Sequence, residues 1–464
     1  MMRLQEAAEA LNARWQGNDV LFTGVSTDSR TLCPGELFVA LTGERYDGHR
    51  FVRAAREQGA VAAMVGLEID DAIRINDIPL IQVKDTRLSL GQLAAHWRHR
   101  FSMPLVAITG SNGKTTVKEM LASILCQAVG ENTAASTDRT SQVLATVGNL
   151  NNDIGVPLML LRLRETHRYA VIEMGMNHVG EIACLTRLAR PDVAVITNAG
   201  AAHIEGLGSI DAVARAKGEI FAGLNQQGTA VINADDKYAP LWRTLIGEKS
   251  VIEFGFEATT QVTAEFTSEV YGSAVQLKLP DGVQDISLKV PGIHNIRNSL
   301  AAAAAAVALG VNGKTIAAGL ECFKGVKGRL QIKQGKNHSI LIDDSYNANP
   351  ESVKAALAVL AGAAGRKILV LGDMGELGNA SGDLHRTIGE AARLFKLDRL
   401  LTLGDLSKHA SDAYGRGAQH FSTMEALLDD LQNILAADVT VLVKGSRFMH
   451  MERVIDRLEA VTEV

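Results

Sequence analysis

Cysteine is scarce in this chain, long apolar runs are missing, and no block of positive charge occurs. Four cysteines in 464 residues, at positions 33, 126, 184 and 322, lie far apart with no paired metal spacing. That excludes a disulfide framework and a cysteine-held metal, and they read as reduced, buried small residues of a cytosolic protein. The longest apolar stretch, around Ala301 to Leu309, is alanine-rich and far shorter than a membrane span, so no membrane insertion is expected. The first residues lack a basic segment followed by an apolar core, so no signal peptide is visible. A net charge of −5 without a long basic run argues against a nucleic-acid partner. What remains is 47% hydrophobic and 21% charged, a globular composition. The length exceeds one ordinary core, so two or three domains are expected, and no internal repeat is evident.

The most informative segment is Leu105 to Thr116. Leu105–Thr109 is short, apolar and β-branched, and reads as a buried parallel strand. It runs into Gly110, Ser111, Asn112, Gly113, Lys114, Thr115 and Thr116, followed by a helical pattern through Val117, Met120, Leu121, Ile124 and Leu125. Glycines let such a turn offer successive N–H groups to phosphate oxygens, and the helix adds its positive N-terminal dipole. Lys114 would reach the β- and γ-phosphates and the Thr115 hydroxyl a Mg²⁺ shell. Only two residues separate the glycines, where the usual phosphate loop has four. A second match, Gly310 to Thr315, follows the helix-forming run Asn298–Leu309, so Gly310 reads as a helix stop.

Strand-like and helical runs alternate along most of the chain, which argues for open, mostly parallel α/β sheets with ligand loops at the strand carboxyl ends. Strands are expected at 37–41, 61–65 and 80–83, then 105–109, 169–174, 193–197 and 230–233, and finally 340–343, 368–371, 400–403 and 439–443. Residues 251–290 lack helical pattern and read as an antiparallel extension of the middle sheet. Boundaries fall near 84 and 314, and the polar stretch 130–141 reads as an exposed loop.

Polar residues at strand ends are the candidates for chemistry. Glu173 closes one apolar run and His203 lies just after another, and a carboxylate with an imidazole suits Mg²⁺ or Mn²⁺; a helix-start acid and a loop histidine are the plain alternatives. Lys217 falls on a helix, where a solvated face is the default. Asn149, Asn151 and Asn152 form an amide cluster or an ordinary loop. His294 and Asn295 open a helix carrying Arg297 and Asn298, where Asn295 could serve as a cap. Three further exits, 342–350, 371–378 and 443–447, suggest one ligand edge on the last third.

Taken together and in order, these motifs resemble the Mur ligase family of cytoplasmic peptidoglycan synthesis. The residues carrying the resemblance are the phosphate loop, Gly148–Pro157, Glu173–His178, Ala216–Phe221, His294–Asn298, Asp343–Pro350, Leu371–Gly378 and Lys444–Arg447. The short glycine spacing is the form that family uses, whereas the stretch 130–141 is longer than is usual there. The resemblance implies a three-domain α/β architecture: an N-terminal domain (1–84) binding UDP-muramyl-tripeptide, a central phosphate-loop ATPase domain (85–313) and a C-terminal Rossmann-like domain (314–464). It implies ATP-dependent addition of D-alanyl-D-alanine to UDP-N-acetylmuramoyl-tripeptide through an acyl phosphate, by a cytoplasmic monomer using ATP and Mg²⁺. By the same resemblance Ser29, Arg30 and Asp47 bind the UDP substrate, Asn149, Asn151 and Asn152 contact substrate, and Thr115, Glu173 and His203 hold divalent ions. Lys217 matches a carbamylated lysine that acts with Lys114, Glu173 and His203. His294, Asn295, Asn298, Arg329, Asp344 and Asn347 would contact ATP, and Lys444, Ser446 and Arg447 a substrate. A ligase of the same fold adding a single amino acid, or glutamate to folate, and a non-catalytic nucleotide-binding regulator remain the alternatives.

Overall fold

The computed structural model of the chain describes residues 1–43, 46–67, 78–131, 139–200, 204–256 and 259–460. His203 and most of the polar stretch 130–141 lie outside the described residues.

The first sheet orders its strands Arg14–Gln16, Leu80–Val83, Ala62–Gly66, Leu37–Val39 and Val25–Ser26; the first pair is antiparallel and the rest parallel. Asp85 then starts the helix Thr86–Arg98, its carboxylate accepting from the N–H groups of Arg87 (2.8 Å) and Leu88 (2.9 Å).

The central sheet is parallel throughout, in the order Val143–Ala145, Tyr169–Glu173, Leu105–Thr109, Val193–Ile196, Thr229–Asn233 and Ser250–Phe254. Every residue of Leu105–Thr109 is buried, as a parallel strand covered on both faces requires. Its alternating side chains feed two cores: Leu105 and Ala107 pack with Trp97, Leu160, Ile182 and Trp242, while Val106 and Ile108 pack with Val117, Leu121, Ile296 and Leu300. Each fully buried Leu, Ile or Val contributes about 1.5–3 kcal/mol, so a charge at Ile108 would break the second layer. This strand lies between two that come later in the chain. The strand order therefore reverses beside it, opening a crevice at its carboxyl end.

Residues 251–290 differ from expectation. Ser250–Phe254 joins the central sheet in parallel, but Thr263–Ser268, Ser273–Leu279 and Gly282–Leu288 form a separate antiparallel sheet. Alternation explains the separation: Val275, Leu277 and Leu279 point to one face, which packs on the helices Ile293–Ala308 and Gly313–Cys322 instead of adding to an edge. The helix Ile293–Ala308 buries the whole run Ala301–Ala306, and the chain then turns at Gly310 with φ +76°. Asn312 caps the next helix through the Thr315 N–H (2.9 Å) and Lys314 is exposed, so the second glycine–lysine match is a helix-to-helix turn.

The division expected at 314 falls inside that capped helix. Gly319 lies so close to Ile124 that a Cβ there would collide with its backbone, and Ser123 Oγ donates to the Gly319 carbonyl (2.7 Å). Gly313–Cys322 therefore packs with the phosphate-loop helix Lys114–Glu131, and the next sheet starts at Gln331. That sheet runs Gln331–Gln334, Ile340–Asp344, Val439–Lys444, Arg366–Gly372, Arg399–Leu403 and Ala418–Phe421, with only its first pair antiparallel. The exits of its three middle strands are thereby adjacent. The cysteines are free, as expected, but Cys33, Cys184 and Cys322 are exposed, and Cys126 is half-buried against the core under the phosphate-loop helix.

Candidate active site

The loop after Leu105–Thr109 needs its glycines. Gly110 (φ +153°) and Gly113 (φ +83°) adopt backbone that side-chain-bearing residues avoid, and a Cβ would collide with Thr197 Oγ1 at the first and Asn298 Oδ1 at the second. The exit of the neighbouring strand shapes the loop between them. Asn198 Oδ1 accepts from the Asn112 N–H (2.9 Å), Thr197 Oγ1 donates to the Asn112 carbonyl (2.6 Å), and Ser111 Oγ accepts from the Gly200 N–H (2.9 Å). Lys114 Nζ donates to the Gly110 carbonyl (2.7 Å), which leaves the ammonium folded over the loop it would serve. Burial pulls this lysine's pKa down, opposed first by Glu173, with Arg329 adding to the fall and Glu376 resisting it.

Glu173 stands at the centre of a network. It is 3% exposed; Oε2 accepts from Thr115 Oγ1 (2.9 Å), Oε1 from Asn151 Nδ2 (2.8 Å), and its own N–H donates to Thr146 Oγ1 (2.9 Å). The buried Lys118, one turn along the phosphate-loop helix from Lys114, donates to the Thr146 carbonyl (2.5 Å) and so fixes the strand exit that aims Glu173. Lys217 is 1% exposed on the helix Ile210–Gly218, which overturns the solvated-face default. Burial, and then the charge of Lys114, holds its amine well below the ordinary lysine range.

The C-terminal sheet closes the opposite wall of a cavity of about 1030 Å³. Arg329 Nη2 donates to Thr115 Oγ1 (3.0 Å), and its guanidinium lies 4.5 Å from the centre of the Tyr346 ring. Asn349 Nδ2 donates to Asn112 Oδ1 (2.8 Å), and Asn112 Nδ2 reaches Glu351 Oε2 (3.4 Å). Asp344 is paired with Lys444 and accepts from the Leu330 N–H (3.2 Å); burial raises its pKa against the pull of Lys444. Lys444 also donates to the Asn347 carbonyl (3.0 Å), while Ser446 Oγ donates to the Ala348 carbonyl (3.2 Å).

At the other end of the cavity, His294 is pushed down to about 4 by burial, then by the charges of Lys444 and Arg297. Asn295 does not cap its helix: its Nδ2 donates backwards to the Pro291 carbonyl (2.8 Å), and its Oδ1 accepts from Asn298 Nδ2 (3.2 Å). Arg297 lies 4.9 Å from the centre of the Phe256 ring and 3.5 Å from Asp235.

The cavity thus gathers residues 111–116, Asn149, Asn151, Asn152, Glu173, His294, Asn295, Asn298, Arg329, Asp344, Asn347, Lys444, Ser446 and Arg447 from across the chain. Asn152 also has a structural task, its Oδ1 accepting from the Gly155 N–H (2.8 Å) to start the helix Gly155–Leu160. Ser29, Arg30 and Asp47 do not line this cavity. Arg30 is exposed and bound to Asp28 (2.7 Å), and Asp47 holds His49 through both its N–H (3.0 Å) and its ring Nδ1 (2.5 Å). Sequence reasoning missed Tyr346, Asn198, Arg297 with Phe256, and Glu376. Tyr346 and Glu376 stood inside motifs already singled out, but nothing in their spacing told a ring platform or a cavity carboxylate from a turn residue.

Three family patterns match the chain: one described as "Mur ligase family, catalytic domain" over residues 21–98, "Mur ligase middle domain" over 108–306, and "Mur ligase, glutamate ligase domain" over 328–447. The UDP-N-acetylmuramoyl-tripeptide–D-alanyl-D-alanine ligase of Escherichia coli (strain K12) is 45% identical over 462 residues, covering 98% of both chains. The chain belongs to the Mur ligase family. Among solved Mur ligases, a MurF crystal structure from Acinetobacter baumannii is 38% identical and superposes with a TM-score of 0.87 over 97% of each chain. MurF from Thermotoga maritima in complex with ADP is 27% identical, with a TM-score of 0.80 over 95% of this chain and 98% of that one. This Mur ligase is accordingly an ATP-dependent amide-bond-forming enzyme of three-domain α/β architecture.

Proposed function

We propose that the chain joins the amine of D-alanyl-D-alanine to the terminal carboxylate of UDP-N-acetylmuramoyl-tripeptide, with cleavage of ATP to ADP and phosphate. One observation carries the reading: the phosphate loop, with Lys114 and Glu173, faces the three polar strand exits of the C-terminal sheet across a single cavity. The relative from Escherichia coli, matched along 98% of its length, bears that activity in its name.

A carboxylate is a poor electrophile because oxide is a bad leaving group. Transfer of the γ-phosphoryl group to the tripeptide carboxylate gives an acyl phosphate. The neutral dipeptide amine attacks its carbonyl carbon, and the tetrahedral intermediate loses a proton from nitrogen and expels phosphate to leave the amide. Such a reaction asks the protein mainly for positioning and charge stabilisation. The loop N–H groups and the N-terminus of the helix Lys114–Glu131 cradle the phosphates, and Lys114 exchanges the Gly110 carbonyl for phosphate oxygens. Thr115 Oγ1 and Glu173 Oε2, 2.9 Å apart at the loop mouth, are hard oxygen donors that fit Mg²⁺, with His203 as the further ligand the resemblance implies. Bound there, the cation would offset charge on the β- and γ-phosphates. A buried Lys217 amine whose pKa is held well below the ordinary lysine range suits carbamylation, in which the neutral nitrogen adds to CO₂ and releases a proton to give an anion. His294, Asn295 and Asn298 contact the base end of ATP, with Arg329, Asp344 and Asn347 on its C-terminal side. Ser29, Arg30 and Asp47 grip the UDP moiety on the N-terminal unit, where Arg30 would exchange Asp28 for the diphosphate. Asn149, Asn151 and Asn152 meet the tripeptide, and Lys444, Ser446 and Arg447 the acceptor. We assign the enzyme to the cytoplasm as a monomer; among the described residues no helix is long and apolar enough to cross a membrane.

The test is phosphate release from ATP with each substrate omitted in turn. Turnover should require both UDP-N-acetylmuramoyl-tripeptide and D-alanyl-D-alanine, and Lys114→Ala should abolish it. Equal turnover with a single amino acid, or with folate and glutamate, would overturn the assignment.

A further inference from the structure

No residue of the strand exit Leu371–Gly378 has a role in the reading above, yet the exit holds a strained residue at the cavity. Glu376 sits at φ +62°, in the left-handed region that residues with a Cβ avoid. The backbone before it is pinned on three sides. Asp373 Oδ1 accepts from the N–H groups of Leu406 (3.1 Å) and Ser407 (2.7 Å), the Met374 N–H donates to His385 Nε2 (2.9 Å), and the Gly375 N–H donates to Ser446 Oγ (2.8 Å). Strain kept in place by so determined a frame is typical of residues aimed at a ligand.

What Glu376 faces is equally specific. It lines the cavity shared by Lys114 and Arg447, and its charge resists the fall in the Lys114 pKa. Arg447 leaves the strand Val439–Lys444, which pairs in parallel with Arg366–Gly372, the strand that leads to Glu376. The two exits are therefore about 4.8 Å apart, one strand spacing, and the Gly375–Ser446 bond ties them together. Arg447 lies 5.7 Å from the centre of the Tyr346 ring, on which Arg329 also stacks. Between these loops Phe448, 60% exposed, lies so near Gly375 that a Cβ there would be 2.9 Å from its ring. A carboxylate, a guanidinium and an apolar ring on neighbouring exits match a zwitterion with short apolar side chains.

We propose that Glu376 binds the ammonium end of the acceptor dipeptide while Arg447 binds its carboxylate, with Phe448 against the alanyl methyl groups. The proposal rests on D-alanyl-D-alanine being the acceptor. It fixes the dipeptide's direction, amine toward Lys114 and the acyl phosphate, carboxylate toward Arg447.

The experiment compares wild type, Glu376→Gln, Glu376→Asp and Arg447→Gln with D-alanyl-D-alanine and with its C-terminal amide as acceptors. Wild type inactive with D-alanyl-D-alanine would defeat the assigned function itself, before any variant is made. Given wild-type turnover, Glu376→Gln should raise KM for the dipeptide about 10- to 100-fold, the loss expected for a charged hydrogen bond. Its KM for ATP and for UDP-N-acetylmuramoyl-tripeptide should stay within about 2-fold, and acyl phosphate trapped by borohydride without acceptor should form at the wild-type rate. Glu376→Asp should recover part of the dipeptide affinity. Wild type should bind the amide about 10-fold or more worse than the dipeptide, a difference that Arg447→Gln erases and Glu376→Gln keeps. An unchanged dipeptide KM in Glu376→Gln, a parallel rise in all three KM values, or an amide penalty that survives in Arg447→Gln would each overturn the proposal.

Discussion

Alanine in place of Gly113 should weaken the site by an amount the structure allows us to work out. The backbone there has φ +83°, which costs a residue bearing a Cβ about 1–2 kcal/mol. The new Cβ would also collide with Asn298 Oδ1, and moving that side chain strains the Asn298–Asn295 hydrogen bond (3.2 Å), worth about 1 kcal/mol. The total is about 2–3 kcal/mol. If the free loop relaxes, the whole penalty returns when nucleotide restores the cradle, and ATP affinity falls about 30- to 150-fold. If the loop cannot relax, the penalty lowers fold stability instead, shifting the thermal midpoint by about 2–4 °C per kcal/mol for a domain of this size. Nucleotide titration and thermal unfolding together should account for the sum. Gly310→Ala is the control: its φ is +76°, but nothing lies within 4 Å of the added Cβ, so it should cost only backbone strain and leave ATP affinity unchanged. A Gly113→Ala protein matching wild type within about 0.5 kcal/mol in both measurements would refute this account of the loop.

Three further outcomes are expected. His294 has a folded-state pKa of about 4, below its unfolded value, so the unfolded chain binds more protons between about pH 4 and 6.5. Stability should therefore fall as pH is lowered through that window, by up to about 3 kcal/mol, and chemical denaturation of His294→Gln should show a flatter profile; identical profiles would contradict the assignment. Lys217→Ala should lose most turnover and regain part of it with added short carboxylates, whereas full activity without them would exclude an essential carbamate. Asn112→Ala and Asn349→Ala, singly and together, should show a coupling of about 0.5–1.5 kcal/mol in denaturant unfolding, and strict additivity would mean that their bond (2.8 Å) contributes nothing.

The sequence by itself determined what depends on near neighbours. Leu105–Thr109, the glycines at 110 and 113 and the helix after them are set by β-branching, backbone freedom and helical period, all short-range properties. The same local logic rejected the match at Gly310, because an alanine-rich helix preceded it. It could not choose among roles that depend on what the folded chain brings alongside. Lys217 has the pattern of a solvated helical lysine, and only packing made it buried. Residues 251–290 alternate like an edge extension, yet their apolar face found helices to cover and formed a separate sheet. Arg329 meets Thr115 across 214 residues and Asn349 meets Asn112 across 237, separations at which no local periodicity carries information. Tertiary structure decided the site because each strand exit contributes one or two groups, and strand order alone determines which exits share a cavity.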